Sequence, residues 1–105
     1  MTNELAPILL VDDTVFNLMI LQNILLINHK IKTDQAISGE EAIKKCEERI
    51  LNNQEAYKFI VMDINMPGMD GVVATKRIRE IFIPYVEKLG QKDHLIVAHT
   101  ALPED

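Results

Sequence analysis

The chain has 105 residues, which is enough for one domain, and its 48% hydrophobic and 26% charged residues are typical of a globular protein rather than a disordered one. Its net charge of -5 argues against direct nucleic-acid binding, which requires clustered lysine and arginine. No apolar run reaches the ~18 residues that a membrane-spanning helix needs, and no secretory signal pattern is seen, so we expect no membrane insertion and a cytoplasmic location.

Seven predicted elements follow one another, in which short unbroken apolar runs alternate with longer segments that carry helical signals. They are strands at residues 8–11, 32–37, 59–62 and 94–98, and helices at residues 14–28, 39–52 and 71–82. Short apolar runs bounded by charge are typical of strands that are buried on both faces of a parallel sheet. The second run is weaker, and we expect it at an edge. The alternation predicts an α/β fold with a doubly wound parallel sheet.

Local signals set the helix ends. Ser38 is followed by a glycine and two glutamates and forms a predicted capping box with Glu41, in which each side chain satisfies an amide group at the helix start. Asp70 is a predicted N-cap for the third helix. Pro84 is predicted to end that helix or to begin a new turn, because proline lacks the backbone N–H that continues a helix.

Acidic and hydroxyl residues follow three of the predicted strands. Asp12 and Asp13 follow the first strand, Asp63 follows the third, and Thr100 lies just beyond the fourth. Because ligands bind at the carboxyl ends of parallel strands, we expect these residues to converge. Three neighbouring carboxylates repel one another unless a hard cation lies among them, which predicts an Mg²⁺ site. Taken singly, each residue has a structural alternative: Asp13 as a helix cap, Asp63 as a loop acid and Thr100 as a buried hydroxyl.

The strings ILLVDD at residues 8–13 and VMDINMPGMDG at residues 61–71 resemble the receiver domain family of response regulators in two-component signalling. Three further strings match the family in the right order, at residues 38–42, 78–79 and 98–101. The resemblance implies a flavodoxin-like sheet with strand order 2-1-3-4. It also implies a signalling phosphoacceptor that assists its own phosphorylation and dephosphorylation, rather than an enzyme.

Residue by residue, the resemblance implies that Asp63 is the phosphoacceptor in a histidine-to-aspartate phosphorelay. Asp13 and Asp63 would ligate Mg²⁺ directly, and Asp12 would hold a metal-bound water. The backbone carbonyl of Asn65 would complete the protein ligands. Thr100 would be the switch hydroxyl that moves to bond the phosphoryl group.

The resemblance further implies a phosphodonor partner, either a histidine kinase or a histidine phosphotransfer domain, that docks on the first helix. Val15, Phe16 and Met19 are surplus apolar residues of that helix and are the candidate docking residues. The alternatives for them are extra core packing or a frayed exposed position without a docking role, since single exposed apolar residues are ordinary. Asn17, four residues beyond Asp13, resembles a variant common in receivers attached to hybrid histidine kinases.

The sequence departs from the family pattern at its carboxyl end. Family members carry a lysine at the end of a fifth strand that pairs with the phosphoryl group, and no lysine follows Thr100. We therefore expect residues 1–105 to form a receiver domain that is truncated before its fourth helix, fifth strand and fifth helix. The fourth strand would then have an open edge, and such an edge can pair with another chain, so a homodimer is one predicted arrangement.

Two other functions remain as alternatives. The first is a receiver-like interaction module in which phosphorylation switching is impaired because the usual lysine is absent. The second is a small nucleotide- or flavin-binding α/β protein. It is disfavoured because Asp12 and Asp13 supply carboxylates where a phosphate-binding loop needs glycines and free amides.

Overall fold

The computed structural model describes residues 5–63, 66 and 71–90, and the backbone alone of residues 96–100. Its elements in chain order are β1 (Ile8–Val11), α1 (Val15–His29), β2 (Thr33–Ala36), α2 (Gly39–Leu51), β3 (Phe59–Asp63), α3 (Gly71–Lys88) and β4 (Ile96–Thr100). The predicted alternation of strands and helices is confirmed. The observed bounds lie within two residues of the predicted ones, except at the end of α3.

The four strands form one parallel sheet in the order β2-β1-β3-β4, which confirms the predicted order and places the weak second strand at an edge. In the register of the sheet, Leu9 of β1 lies between Asp34 of β2 and Ile60 of β3. The chain winds outward from β1 to β2 and then returns to the other side of β1 to form β3. The carboxyl ends of β1 and β3 therefore flank the point where the winding reverses, which is where ligands bind in such sheets.

The hydrophobic core lies between the sheet and the helices α2 and α3, which also pack against each other. On the sheet side it contains Leu9, Ile60 and Met62, all fully buried. Along β1 the side chains alternate between faces, so Leu10 points away from this core. It is also fully buried, on the face where α1 contacts β1 and β2.

The helix α3 continues through Pro84, so the prediction that this residue ends the helix was wrong. Proline removes the N–H that would bond the carbonyl of Glu80 and crowds that carbonyl. The residues Ile78, Phe82 and Val86, spaced four apart, are all buried and span the proline. Continuous packing of this stripe against the core outweighs the local penalty, because most helical stability in proteins comes from tertiary contacts.

The predicted capping of the other helices is partly observed. The amide of Glu41 donates to the Ser38 hydroxyl at 3.1 Å, which is the first half of the predicted capping box. Asp70, the predicted N-cap of α3, lies outside the described residues. The local signal at Ser38 therefore places the start of α2 correctly.

The helix α1 is largely apolar, yet only Leu18 among its 15 residues is buried. Seven of its large apolar side chains are exposed: Val15, Phe16, Met19, Ile20, Ile24, Leu26 and Ile27. Within the part of the chain that the structure describes, α1 and the other helices lack the combination of length and apolar character needed to cross a membrane.

Candidate functional site

Three aspartates converge at the carboxyl ends of β1 and β3. Asp12 and Asp13 directly follow β1, and Asp63 is the last residue of β3. One carboxylate oxygen from each residue lies within 4.8 Å of the others. Asp12 and Asp63 are buried, with 4% and 9% of their surface exposed, whereas Asp13 is exposed. The expected convergence of these three acids is therefore observed.

The backbone around Asp12 explains why its carboxylate faces this edge. The amide of Asp12 donates to the carbonyl of Ala36 at 3.1 Å, which extends the pairing of β1 with β2 by one residue. Two residues later the amide of Thr14 donates to Asp12 Oδ1 at 2.8 Å. Thr14 is the N-cap of α1, in extended conformation and without a capping bond from its own side chain. The N-cap position is thus not occupied by Asp13, and the Asp12 carboxylate accepts the amide at the helix entry.

Asn17 contributes a second bond to the same carboxylate. Its Nδ2 donates to Asp12 Oδ2 at 3.2 Å, from the first turn of α1. Sequence reasoning identified Asn17 by resemblance alone and gave it no contact. The spacing of five residues across a strand end and a helix start does not by itself indicate this hydrogen bond.

The remaining predicted site residues are only partly described. The backbone of Thr100 pairs with Asp63 in the register of β3 and β4, so the two residues are neighbours at the sheet edge. The side chain of Thr100 and all of Asn65 lie outside the described residues. Their roles as switch hydroxyl and carbonyl ligand remain predictions.

The candidate docking residues lie beside the acidic cluster. Val15, Phe16 and Met19 occupy the first turns of α1, just after Asp13. All three are exposed, and Phe16 has 68% of its surface in contact with solvent. The alternative of extra core packing does not apply to these side chains. Their docking role stays a prediction.

The cluster of Asp12, Asp13 and Asp63 contains only carboxylate ligands. Hard divalent cations such as Mg²⁺ prefer oxygen ligands, and one or two carboxylates are the usual protein contribution to an Mg²⁺ site. Nitrogen and sulfur ligands, which zinc and softer metals favour, are not part of this group within the described chain. The donor set therefore fits Mg²⁺.

A second polar cluster lies towards the amino ends of the strands, away from the acids. The buried guanidinium of Arg49 donates to the carbonyls of Ala6 at 2.7 Å and Glu55 at 3.0 Å, and to Asp34 Oδ2 at 3.1 Å. It also lies 3.8 Å from the ring centroid of Tyr57. Sequence reasoning missed this cluster, because its members are far apart along the chain.

Two groups near Arg49 have raised pKa values. The pKa of Tyr57 is raised mainly by burial and also by the hydrogen bond that the Tyr57 hydroxyl donates to Asp34 at 2.6 Å. Burial raises the pKa of the Cys46 thiol from 9.0 to about 12. Both groups stay protonated at neutral pH, so neither supplies a nucleophile there.

Comparison with known proteins identifies the family. The sequence matches the response regulator receiver domain over residues 8–99. The chain belongs to this family. Receiver domains are signalling phosphoacceptors of two-component systems that bind Mg²⁺ at an acidic pocket.

Relatives of this receiver domain include a chemotaxis protein, a histidine kinase and a methylesterase. It is 36% identical to the chemotaxis protein CheY of Bacillus subtilis over 102 residues, covering 93% of this chain and 80% of CheY. It is 35% identical to the osmosensing histidine protein kinase SLN1 of Saccharomyces cerevisiae, covering 95% of this chain and 8% of the kinase. It is 45% identical over 74 residues to a protein-glutamate methylesterase/protein-glutamine glutaminase of Methanospirillum hungatei, covering 70% of this chain and 19% of that protein.

Solved structures show the same fold. The receiver domain of the Arabidopsis thaliana histidine kinase CKI1, complexed with Mg²⁺ and BeF₃⁻, superposes with a TM-score of 0.71 at 25% identity. The match covers 93% of this receiver and 68% of the CKI1 chain. CheY of Borrelia burgdorferi, in a complex with CheX, BeF₃⁻ and Mg²⁺, superposes with a TM-score of 0.62 at 26% identity.

Proposed function

We propose that this receiver domain accepts a phosphoryl group on Asp63 in a histidine-to-aspartate phosphorelay. The observation that carries the proposal is the meeting of Asp12, Asp13 and Asp63 within 4.8 Å at the point where the sheet winding reverses. A carboxylate nucleophile beside two further acids that can hold a cation suits phosphoryl transfer to a carboxylate, since positioning by the protein and charge neutralisation by the cation provide most of the catalysis.

In the proposed transfer, a carboxylate oxygen of Asp63 attacks the phosphorus of a phosphohistidine in the donor. A P–O bond forms to Asp63 as the P–N bond breaks, and the histidine nitrogen retains the electron pair of that bond. Only 9% of the surface of Asp63 is exposed, and this burial limits competition from water at the acceptor oxygen. A carboxylate is a weak nucleophile, but it forms covalent intermediates of this kind when it is held in position.

Asp13 and Asp63 would hold Mg²⁺ directly, together with the backbone carbonyl of Asn65, and Asp12 would hold it through a bound water. When bound, the ion would neutralise charge on the phosphoryl oxygens. Thr100 is proposed to bond the transferred group after the reaction. Its place beside Asp63 in the β3–β4 register supports this assignment.

The donor is proposed to be a histidine kinase or a histidine phosphotransfer domain that docks on α1. Val15, Phe16 and Met19 support this proposal, because they form an exposed apolar patch beside the acids. Apolar residues that are already exposed and rigidly held on a helix are suited to helix-mediated recognition.

Binding of beryllofluoride, a phosphoryl analogue, tests the site without a donor protein. We expect Mg²⁺ and beryllofluoride together to raise the melting temperature of the wild-type chain, because a ligand that binds only the folded state stabilises it. Asp63→Asn should abolish the increase. Asp34→Asn, which alters an aspartate outside the cluster, should retain it. An equal increase in the Asp63 variant would contradict the proposal.

A further inference from the structure

The carboxylate of Asp12 is held at both of its oxygens. Oδ1 accepts the Thr14 amide at 2.8 Å, and Oδ2 accepts Asn17 Nδ2 at 3.2 Å. Asp12 is also buried, with 4% of its surface exposed. A carboxylate with both oxygens hydrogen-bonded and little surrounding space has one preferred orientation, whereas a carboxylate in open solvent rotates freely.

The position of Asn17 on α1 allows its side chain to reach Asp12. Asn17 lies on the first turn of α1, three residues after the N-cap Thr14, and its side chain extends back over the helix start to Asp12. The amide nitrogen must face Asp12, because a carboxylate only accepts hydrogen bonds. Asparagine is a poor residue for a helix, so its position here is explained by this side-chain bond rather than by helix propensity.

A neutral donor is well suited to this position. The oxygens of Asp12, Asp13 and Asp63 lie close enough together for their negative charges to repel one another. An amide N–H that faces Asp12 offsets part of that repulsion and fixes the carboxylate. Unlike a lysine or an arginine, it places no positive charge that would compete with a metal ion for the cluster.

We propose that Asn17 is a positioning residue for the magnesium site, which it serves by holding Asp12 in the orientation that bonds a water of the ion. The inference rests on the proposed binding of Mg²⁺ to the three aspartates. Groups that hydrogen-bond metal ligands typically contribute 10- to 100-fold to metal affinity. The bond from Asn17 is long and only half-buried, so we expect an effect near the lower end.

Magnesium titration by isothermal calorimetry tests the inference on the full chain. Asn17→Ala and the nearly isosteric Asn17→Leu should each weaken Mg²⁺ binding about tenfold. Asn17→Gln keeps an amide and should bind better than either. The matched control is Asn23→Ala, an exposed asparagine of the same helix, which should bind like the wild-type chain.

Urea denaturation without Mg²⁺ separates positioning from folding. Alanine and leucine gain helix propensity but lose the bond to Asp12, and the two effects oppose each other. The metal-free equilibrium constant of unfolding should therefore stay within about fivefold of wild type, or about 1 kcal/mol, in Asn17→Ala and Asn17→Leu. A loss of Mg²⁺ affinity that follows a loss of metal-free stability would overturn the inference. So would affinities within about twofold of wild type in both variants, well short of the expected effect. A folded wild-type chain that binds no Mg²⁺ would overturn both this inference and the proposed metal site.

Discussion

At the residue scale, Arg49 is the side chain that joins α2 to the amino ends of the strands. Its guanidinium satisfies the carbonyls of Ala6 and Glu55 and pairs with Asp34. The Asp34 side chain is 40% exposed, so water screens that ion pair and weakens its contribution. Most of the stabilisation comes from the two carbonyls, above all the buried one of Ala6, which would lose its partner if the arginine were removed.

We expect Arg49→Ala to lower the free energy of unfolding by about 2–4 kcal/mol, since it leaves polar groups unsatisfied in a buried site. The matched control is Arg77→Ala, which removes an arginine whose ion pair with Glu80 is more than half exposed on both sides. That variant should lose less than about 0.5 kcal/mol. Urea denaturation measures both changes, and equal losses would contradict this account of Arg49.

The raised pKa of Cys46 predicts how stability depends on pH. Its pKa is 9.0 in the unfolded chain and about 12 in the folded protein, so the folded state holds the thiol proton more tightly. The resulting stabilisation is fully present below pH 9 and is lost as the pH rises towards 12. Tyr57, whose pKa is also raised by burial, adds a loss that begins near its unfolded pKa of 10.0.

We therefore expect the free energy of unfolding to fall with pH above 9.0 in the wild-type chain and to fall less steeply between 9.0 and 10.0 in Cys46→Ala. Urea denaturation at a series of pH values measures both slopes. The comparison uses slopes because the alanine also leaves a small cavity that lowers stability at every pH. Parallel profiles for the two proteins would contradict the burial argument.

At the scale of the element, α3 contains a proline that its packing tolerates. Pro84 is exposed, so its replacement affects the helix and not the core. Pro84→Ala restores the N–H that can donate a hydrogen bond to the carbonyl of Glu80. It also raises the conformational entropy of the unfolded chain, which reduces the gain in stability. We expect a net stabilisation of about 1–2 kcal/mol in urea denaturation. The control Glu87→Ala, exposed on the same helix, should change stability by less than about 0.5 kcal/mol.

The apolar surface of α1 can be tested by comparing its two ends. Phe16 lies near the acids and Ile27 near the far end of the helix, with 68% and 74% of their surfaces exposed. Because both are exposed, Phe16→Ala and Ile27→Ala should leave the free energy of unfolding almost unchanged. Only Phe16→Ala should slow phosphorylation by a histidine-kinase donor, about tenfold if Phe16 is a central contact.

Phosphorylation by acetyl phosphate is the control for that comparison, since a small donor has no surface to dock. Both α1 variants should react with it at the wild-type rate. Equal slowing of the two variants with the kinase donor would contradict docking at the amino end of α1.

The sequence predicted the elements well because their signals are local. Short apolar runs such as residues 8–11 and 59–62 indicate strands that are buried on both faces. The acids that follow these strands lie at the same edge of any parallel sheet. It could not predict that α3 continues past Pro84, because that outcome depends on how Phe82 and Val86 pack. Nor could it predict the bond from Arg49 to Ala6, which joins residues 43 positions apart.

At the scale of the whole molecule, the two ends of the sheet differ in how their charged side chains are paired. The carboxyl end brings together the three acids Asp12, Asp13 and Asp63, whose charges repel. The amino end contains the Arg49 cluster, whose buried polar atoms are all bonded in the described part of the chain. A fully bonded amino end and an acidic carboxyl end fit the proposal that a cation and a phosphoryl group bind at one edge. The predicted homodimer through β4 stays a prediction.

The most direct test of the central claim is the intact mass of the chain after incubation with Mg²⁺ and acetyl phosphate. We predict the addition of one phosphoryl group to the wild-type protein and to Asp34→Asn, and none to Asp63→Asn or in the presence of EDTA. Folded wild-type protein that gains no mass, while it still binds a histidine-kinase partner, would instead support a receiver-like interaction module. An equal mass gain in Asp63→Asn would contradict Asp63 as the phosphoacceptor.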